Sequence, residues 1–240
     1  MKEAVVINGS PQAERGNTAR ILAPFIEGME AAGVKVRLFY AACLQIKPCS
    51  GELDCWYEKP GQCIHADEMY TLYPLLRRAE TLVLATPVYI PLPGEMQNFL
   101  NRLCPLLEPL LETRDGRTRA QFRADVAISR IALVVTSGWW EAGNCDTVVR
   151  IAQELAANAG VEFAGALLRP HAHLIWVKGK PTSKGQAVLE ALRRAGQELI
   201  ESGAMSQETL SAASQPLCGQ EEFRQAFNSS IIGASRSAAE

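Results

Sequence analysis

The stretch NGSPQAERGNT, residues 8–18, lies between a short apolar run, AVVI (4–7), and a helical one, ARILAPFIEGME (19–30). Gly9 and Gly16 permit close backbone approach. Pro11 stiffens the path. Ser10, Asn17 and Thr18 bring hydroxyl and amide groups, and Asn17 is a good N-cap for the helix that follows. The first turn of that helix offers unpaired N–H groups and the positive end of its dipole. A strand, a loop of this composition and a helix N-terminus make a cradle for an anion, most simply a terminal phosphate. The plainer alternative is a polar loop ahead of a capped helix. No Gly-x-x-x-x-Gly-Lys-Ser/Thr or Gly-x-Gly-x-x-Gly pattern is present. The end of the second apolar run, LFYAA, has no acid to hold a ribose, so a mononucleotide phosphate fits better than a dinucleotide.

Further along, short runs rich in β-branched residues predict buried parallel strands at Ala4–Ile7, Val34–Phe39, Thr81–Ala85, Ile131–Thr136 and Val161–Leu168. Helical spacing predicts Thr18–Ala32, Asp67–Ala79, Gly94–Leu107, Asn144–Ala159 and Lys184–Ser202 between and after them. This alternation implies an α/β fold, a doubly wound five-stranded parallel sheet with right-handed crossovers. Residues 1–205 are expected to form one domain. Residues 206–240 read as a helical extension and tail, with a helix over 206–227 and a fraying or partner-packed end at 228–240. The segment TRDGRTRAQFRAD (113–125) reads as a solvated loop with four arginines, in preference to a site for a phosphorylated cofactor.

Composition narrows the function. Of 240 residues, 48% are hydrophobic and 21% charged, and the net charge of -2 gives no basic field for nucleic acid or an anionic membrane. Charges interrupt every apolar run before the roughly 20 residues of a membrane span. MKEAVVINGS lacks a signal-peptide layout, and seven cysteines, an odd number, read as reduced thiols. A cytoplasmic protein is expected.

Two more strand-end loops follow. TPVYIPLPGEMQNFLNRL (86–103) has a backbone path fixed by Pro87, Pro91 and Pro93. A flat aromatic ligand would lie on Val88, Tyr89 and Ile90. TSGWWEAGN (136–144) offers Trp139 and Trp140, which either cap a planar ligand or fill a subunit contact.

GSP and GNT after the first strand, then a PVY loop leading into GEMQNFLNR (94–102), resemble the NAD(P)H-dependent FMN reductases of the flavodoxin-like superfold, over about residues 3–165. The resemblance is strongest to the branch with the iron–sulfur flavoproteins. It implies strand order 2-1-3-4-5, FMN as cofactor and NAD(P)H as co-substrate. It places the FMN phosphate on Ser10, Asn17, Thr18 and neighbouring Pro11 and Gln12. The ring would lie along Pro87, Val88, Tyr89 and Ile90, with Ser137, Gly138 and Trp139 near its other side. Backbone N–H groups of 137–139 would stabilise the reduced anion. The acceptor would be a small molecule (a flavin, quinone, nitro compound or metal ion), and the assembly a homodimer or homotetramer. No residue stands out as catalytic acid or base.

PCSGELDCWYEKPGQCIH (48–65) departs from the iron–sulfur branch, which has four cysteines here. Cys49, Cys55 and Cys63 match the first, third and last, and Glu52 takes the second place. A bound metal is therefore not expected, with a cluster on these three thiols, or a flavodoxin-like binding module without flavin, as alternatives. Cys43, Cys104, Cys145 and Cys218 read as buried thiols. His171 and His173 read as loop residues, and Glu95 and Arg102 as a solvated face or helix packing.

Overall fold

The computed structural model describes residues 2–237. In chain order it contains β1 (Glu3–Asn8), α1 (Asn17–Ala31), β2 (Lys35–Tyr40), α2 (Met69–Arg78), β3 (Thr81–Pro87), α3 (Gly94–Asn101) and β4 (Leu107–Arg114). There follow β5 (Arg117–Phe122), β6 (Arg130–Thr136), α4 (Asp146–Ala159), β7 (Glu162–Arg169), α5 (Ser183–Glu201), α6 (Gln207–Ser214) and α7 (Gln220–Ser237). Five strands form one parallel sheet in the order β2-β1-β3-β6-β7. Numbered by sheet strands alone, this is the expected 2-1-3-4-5, and each strand lies within two residues of its predicted bounds.

Alternation along the central strands divides the core. Val5 and Ile7 face α2, α3 and α4, while Ala4 and Val6 face α1 and α5. Both faces of β1, β3 and β6 are covered, which is why those runs carry no polar alternation. On the second face α1 and α5 pack at glycine. A Cβ on Gly28 would stand 1.9 Å from the Arg193 carbonyl oxygen, and one on Gly196 would stand 1.9 Å from that of Phe25. None of the described helices is long and apolar enough to cross a membrane.

Three expectations need correction. The helix predicted over Gly94–Leu107 ends at Asn101, because Pro105 cannot extend it, and a 3-10 turn follows at Cys104–Leu106. The predicted loop 113–125 is largely hairpin: β4 and β5 pair antiparallel about Asp115 (φ +51°) and Gly116 (φ +70°), a turn that needs two left-handed residues. Its arginines are occupied. Arg117 and Arg119 pair with Glu154, Arg123 with Glu108, and Arg114 donates to the last carbonyls of α4 at Ala157 and Asn158. The helix predicted over 206–227 is two, α6 and α7, interrupted at 215–219 where Pro216 stands. Residues 228–237 of the expected tail continue α7, and 238–240 lie outside the described residues.

A Gly196→Ala substitution forces a methyl against the backbone of α1. We expect a loss of about 1–3 kcal/mol, seen as a lower urea midpoint with an unchanged slope. An unchanged midpoint would show that the two helices separate at no cost.

Candidate functional site

The carboxyl ends of β1, β3 and β6 end level with one another, with Asn8 opposite Ala85 and Pro87 opposite Thr136. Their loops enclose a cavity of about 200 Å³. The first loop contributes Ser10, Gln12, Gly16, Asn17 and Thr18, the second Pro87, Val88 and Tyr89, and the third Thr136, Ser137 and Gly138. Ala172 and His173, after β7, complete the wall. Nine of the twelve residues expected from sequence thus come together. Pro11 is exposed at the loop's outer turn, and Ile90 is wholly exposed. Trp139 turns to α7, where its ring meets Phe227 edge-on at 5.4 Å between centroids. Thr136, the last residue of its strand, belongs to the 136–139 loop expected near the ring, whereas sequence reading gave the 172–173 segment no part in the site.

The first loop is held by its own polar groups. Asn8 Oδ1 accepts from the Ser10 N–H (2.9 Å), and Ser10 Oγ accepts from that of Gln12 (3.3 Å). Gly9 is needed because Met96 lies above it: a Cβ there would stand 2.6 Å from Met96 Cβ. Gly16 is needed because a Cβ would stand 2.7 Å from Ser10 Oγ. Gly16, extended at φ −77° and ψ 158°, is also the N-cap of α1, so Asn17 is the first helical residue and not the cap. Since glycine has no side chain to cap with, the Asn17, Thr18 and Ala19 N–H groups find no acceptor among the described residues. They open beside the hydroxyls of Ser10 and Thr18, both buried. Asn8 Nδ2, buried beneath the loop, also has no hydrogen-bond partner among the described residues.

Thr136 joins the loops. Its hydroxyl shares a 2.9 Å hydrogen bond with that of Thr18, and its carbonyl accepts from the Val88 N–H (2.8 Å). The amides of 137–139 are less available than expected. That of Ser137 donates to the Arg169 carbonyl (3.1 Å) and that of Trp139 to Ser137 Oγ (3.1 Å), which leaves Gly138.

Behind this loop lie Arg169 and His171, both fully buried. The Arg169 guanidinium meets no carboxylate among the described residues; it donates to the carbonyls of Pro170 (2.8 Å), Ala213 (2.7 Å) and Gln215 (3.0 Å). Burial lowers its pKa to about 10. His171 Nε2 accepts from the Leu217 N–H (3.1 Å) and faces Arg169 Nη2 at 3.3 Å. Burial and the neighbouring guanidinium lower its pKa to about 4, so it is neutral near pH 7. Its Nδ1 is buried with no hydrogen-bond partner among the described residues.

In the cysteine segment Cys55 and Cys63 are buried and Cys49 is exposed. Glu52, in the second cluster position, bonds to Ser50. Among the described residues no group of three or more His, Cys, Asp or Glu is placed to hold a metal ion. Cys55 instead adjoins Cys104, whose thiol is pushed up to about 12, chiefly by burial and then by Cys55. Of the four thiols expected to be buried, Cys145 is, Cys104 and Cys218 are half-buried, and Cys43 is exposed.

Residues 3–138, more than half of the chain, match the family described as NADPH-dependent FMN reductase. An iron-sulfur flavoprotein of Archaeoglobus fulgidus is 30% identical over 104 residues, covering 43% of this chain and 46% of that protein. The match thus spans less than half the length of this curated relative. Among solved structures, a putative quinone reductase from Klebsiella pneumoniae superposes with a TM-score of 0.61 at 17% identity, over 86% of each chain. An FMN-dependent NADH-azoreductase from Bacillus anthracis, in complex with FMN, gives 0.57 at 12% identity, over 84% of this chain and all of that one. These two share the fold.

Arg102, which closes the GEMQNFLNR motif, is not on a solvated face. It is buried and grips Asp67 with two hydrogen bonds, Nη1 to Oδ2 at 2.7 Å and Nη2 to Oδ1 at 3.1 Å. Nη1 also donates to the Lys47 carbonyl (2.7 Å). Burial alone would raise the Asp67 pKa, but the Arg102 bonds and the N–H groups of Lys47 and Met69 hold it below the ordinary value. A carboxylate with a lowered folded pKa contributes its full stability above the unfolded value and loses it as pH falls through the folded one. Asp67→Asn should therefore cost about 3–5 kcal/mol at pH 7. The gap to wild type should shrink in acid, below an ordinary aspartate pKa of about 3.9. Denaturation midpoints at both pH values check this, and a gap independent of pH would contradict it.

Proposed function

Because the chain belongs to the NADPH-dependent FMN reductase family, we propose that it is an FMN-binding, NAD(P)H-dependent oxidoreductase. It passes electrons from a nicotinamide to a flavin, quinone or other small acceptor. The observation that carries this reading is the uncapped N-terminus of α1, whose three free amides open beside the Ser10 and Thr18 hydroxyls. Such a donor set fits a phosphate monoester, whose charge the helix dipole also favours. The same cavity is lined by Pro87, Val88 and Tyr89 from the second loop and by Ser137 and Gly138 from the third, the surface on which a flat ring would lie.

Bound FMN would supply the two-electron chemistry. The chain's own residues would bind and orient it. Ser10, Gln12, Asn17 and Thr18 hold the phosphate end, and Pro87, Val88 and Tyr89 support the ring. The Gly138 N–H, free of any acceptor among the described residues, would be available to donate to bound flavin. His171 is neutral near pH 7, fully buried, and does not line the cavity, so it is given no role in proton transfer. A cluster on Cys49, Cys55 and Cys63 is the weaker reading, since among the described residues these thiols do not come together in a group placed to hold a metal ion. Seven unpaired cysteines suit a reducing, cytoplasmic setting. Exposed Tyr89 and Ile90 at the mouth of the site suit a homodimer or homotetramer.

The double variant Ser10→Ala/Thr18→Ala should weaken FMN binding about 10- to 100-fold, at roughly 1.4 kcal/mol per tenfold. Binding of riboflavin, which lacks the phosphate, should weaken much less, by only what loss of the Thr18–Thr136 bond costs the ring site. Flavin fluorescence titrations would read both. Unchanged FMN affinity would place the phosphate elsewhere.

A further inference from the structure

A second cleft of about 660 Å³ opens between the third loop and α7, a volume usual for small-molecule sites. Trp139 is one of its walls and immediately follows Gly138, which lines the first cavity. α7 continues that wall through Phe227, whose ring meets Trp139 edge-on, and through Phe223, which stacks on Phe227, so the three rings line the cleft as one aromatic surface. The third loop and the α7 arm are fastened together: Gln220 Nε2 donates to Glu141 Oε1 (2.7 Å), and Trp140 Nε1 to the Cys218 carbonyl (2.9 Å). Trp140 also stacks on His171, at 7° between the ring planes.

The charges facing the cleft do not cancel. Glu221 and Arg224 neutralise each other through two bonds of 2.7 and 2.8 Å. Glu141 has amide partners only, Gln220 and Asn144, so the cleft keeps one negative charge. An aromatic surface favours a flat ring, and an uncompensated carboxylate disfavours an anion. We propose that this cleft is a binding subsite for planar aromatic electron acceptors that carry no negative charge, formed by α7 together with Trp139 and Glu141. Naming the occupant an electron acceptor rests on the FMN reductase reading; the cleft's selectivity for charge does not.

The test uses the full chain, with and without FMN. Calorimetric titration with 2-methyl-1,4-naphthoquinone, which is neutral, should show affinity about tenfold above that for 1,4-naphthoquinone-2-sulfonate. Phe227→Ala should weaken the neutral quinone about fivefold. Glu141→Gln should narrow the tenfold gap. Neither residue lines the first cavity, so these variants separate the cleft from an empty flavin site. Equal affinity for the two quinones, or indifference to both variants, would overturn the proposal. A chain that discriminates as described but takes up no FMN would uphold the subsite's selectivity and remove the reductase reading.

Discussion

Thr136 is the residue on which the site's geometry depends. Its side chain bonds to Thr18 in the first turn of α1, its carbonyl to the amide that follows β3, and its strand pairs with both β3 and β7. One position at the end of a central strand thereby sets the spacing of three loops. The missing Cβ of Gly9 admits Met96 of α3 against the end of β1, and that of Gly16 brings the Ser10 hydroxyl close against the start of α1. The same closeness leaves the helix without a side-chain cap. Packing and the exposed amides are two consequences of one constraint.

The C-terminal arm is held by a different device. Arg169 is buried without a carboxylate, an expensive placement unless every donor is occupied. Here the carbonyl ends of α6 and the following turn supply acceptors, and the helix C-terminus supplies partial negative charge. His171 stays neutral and receives the Leu217 amide. These contacts fix the chain between α6 and α7, and so bring α7 against the third loop. The arm lies beyond residue 138, where the family match ends.

The sheet was legible because central parallel strands are apolar on both faces and stand out as short β-branched runs. The first loop was legible because Gly, Ser, Pro, Asn and Thr each serve a separate physical purpose there. What escaped were properties decided by distant partners. Asn17 has the chemistry of a cap, yet Gly16 is the residue with extended backbone. Arg102 looks like a surface charge until Asp67, 35 residues away, meets it. The Asp115-Gly116 pair did carry a hairpin signal, masked by the density of charge around it. That Ser137 and Trp139 spend their amides inside the protein, and that Trp139 turns to Phe227, could not be read without the arm in place.

The most direct measurement is the visible absorption spectrum of the freshly purified protein, with its chromophore identified after denaturation. The account predicts flavin bands and the release of FMN, not of riboflavin or a dinucleotide. A colourless protein that also fails to take up added FMN would contradict it, leaving the fold and removing the function assigned to the three loops.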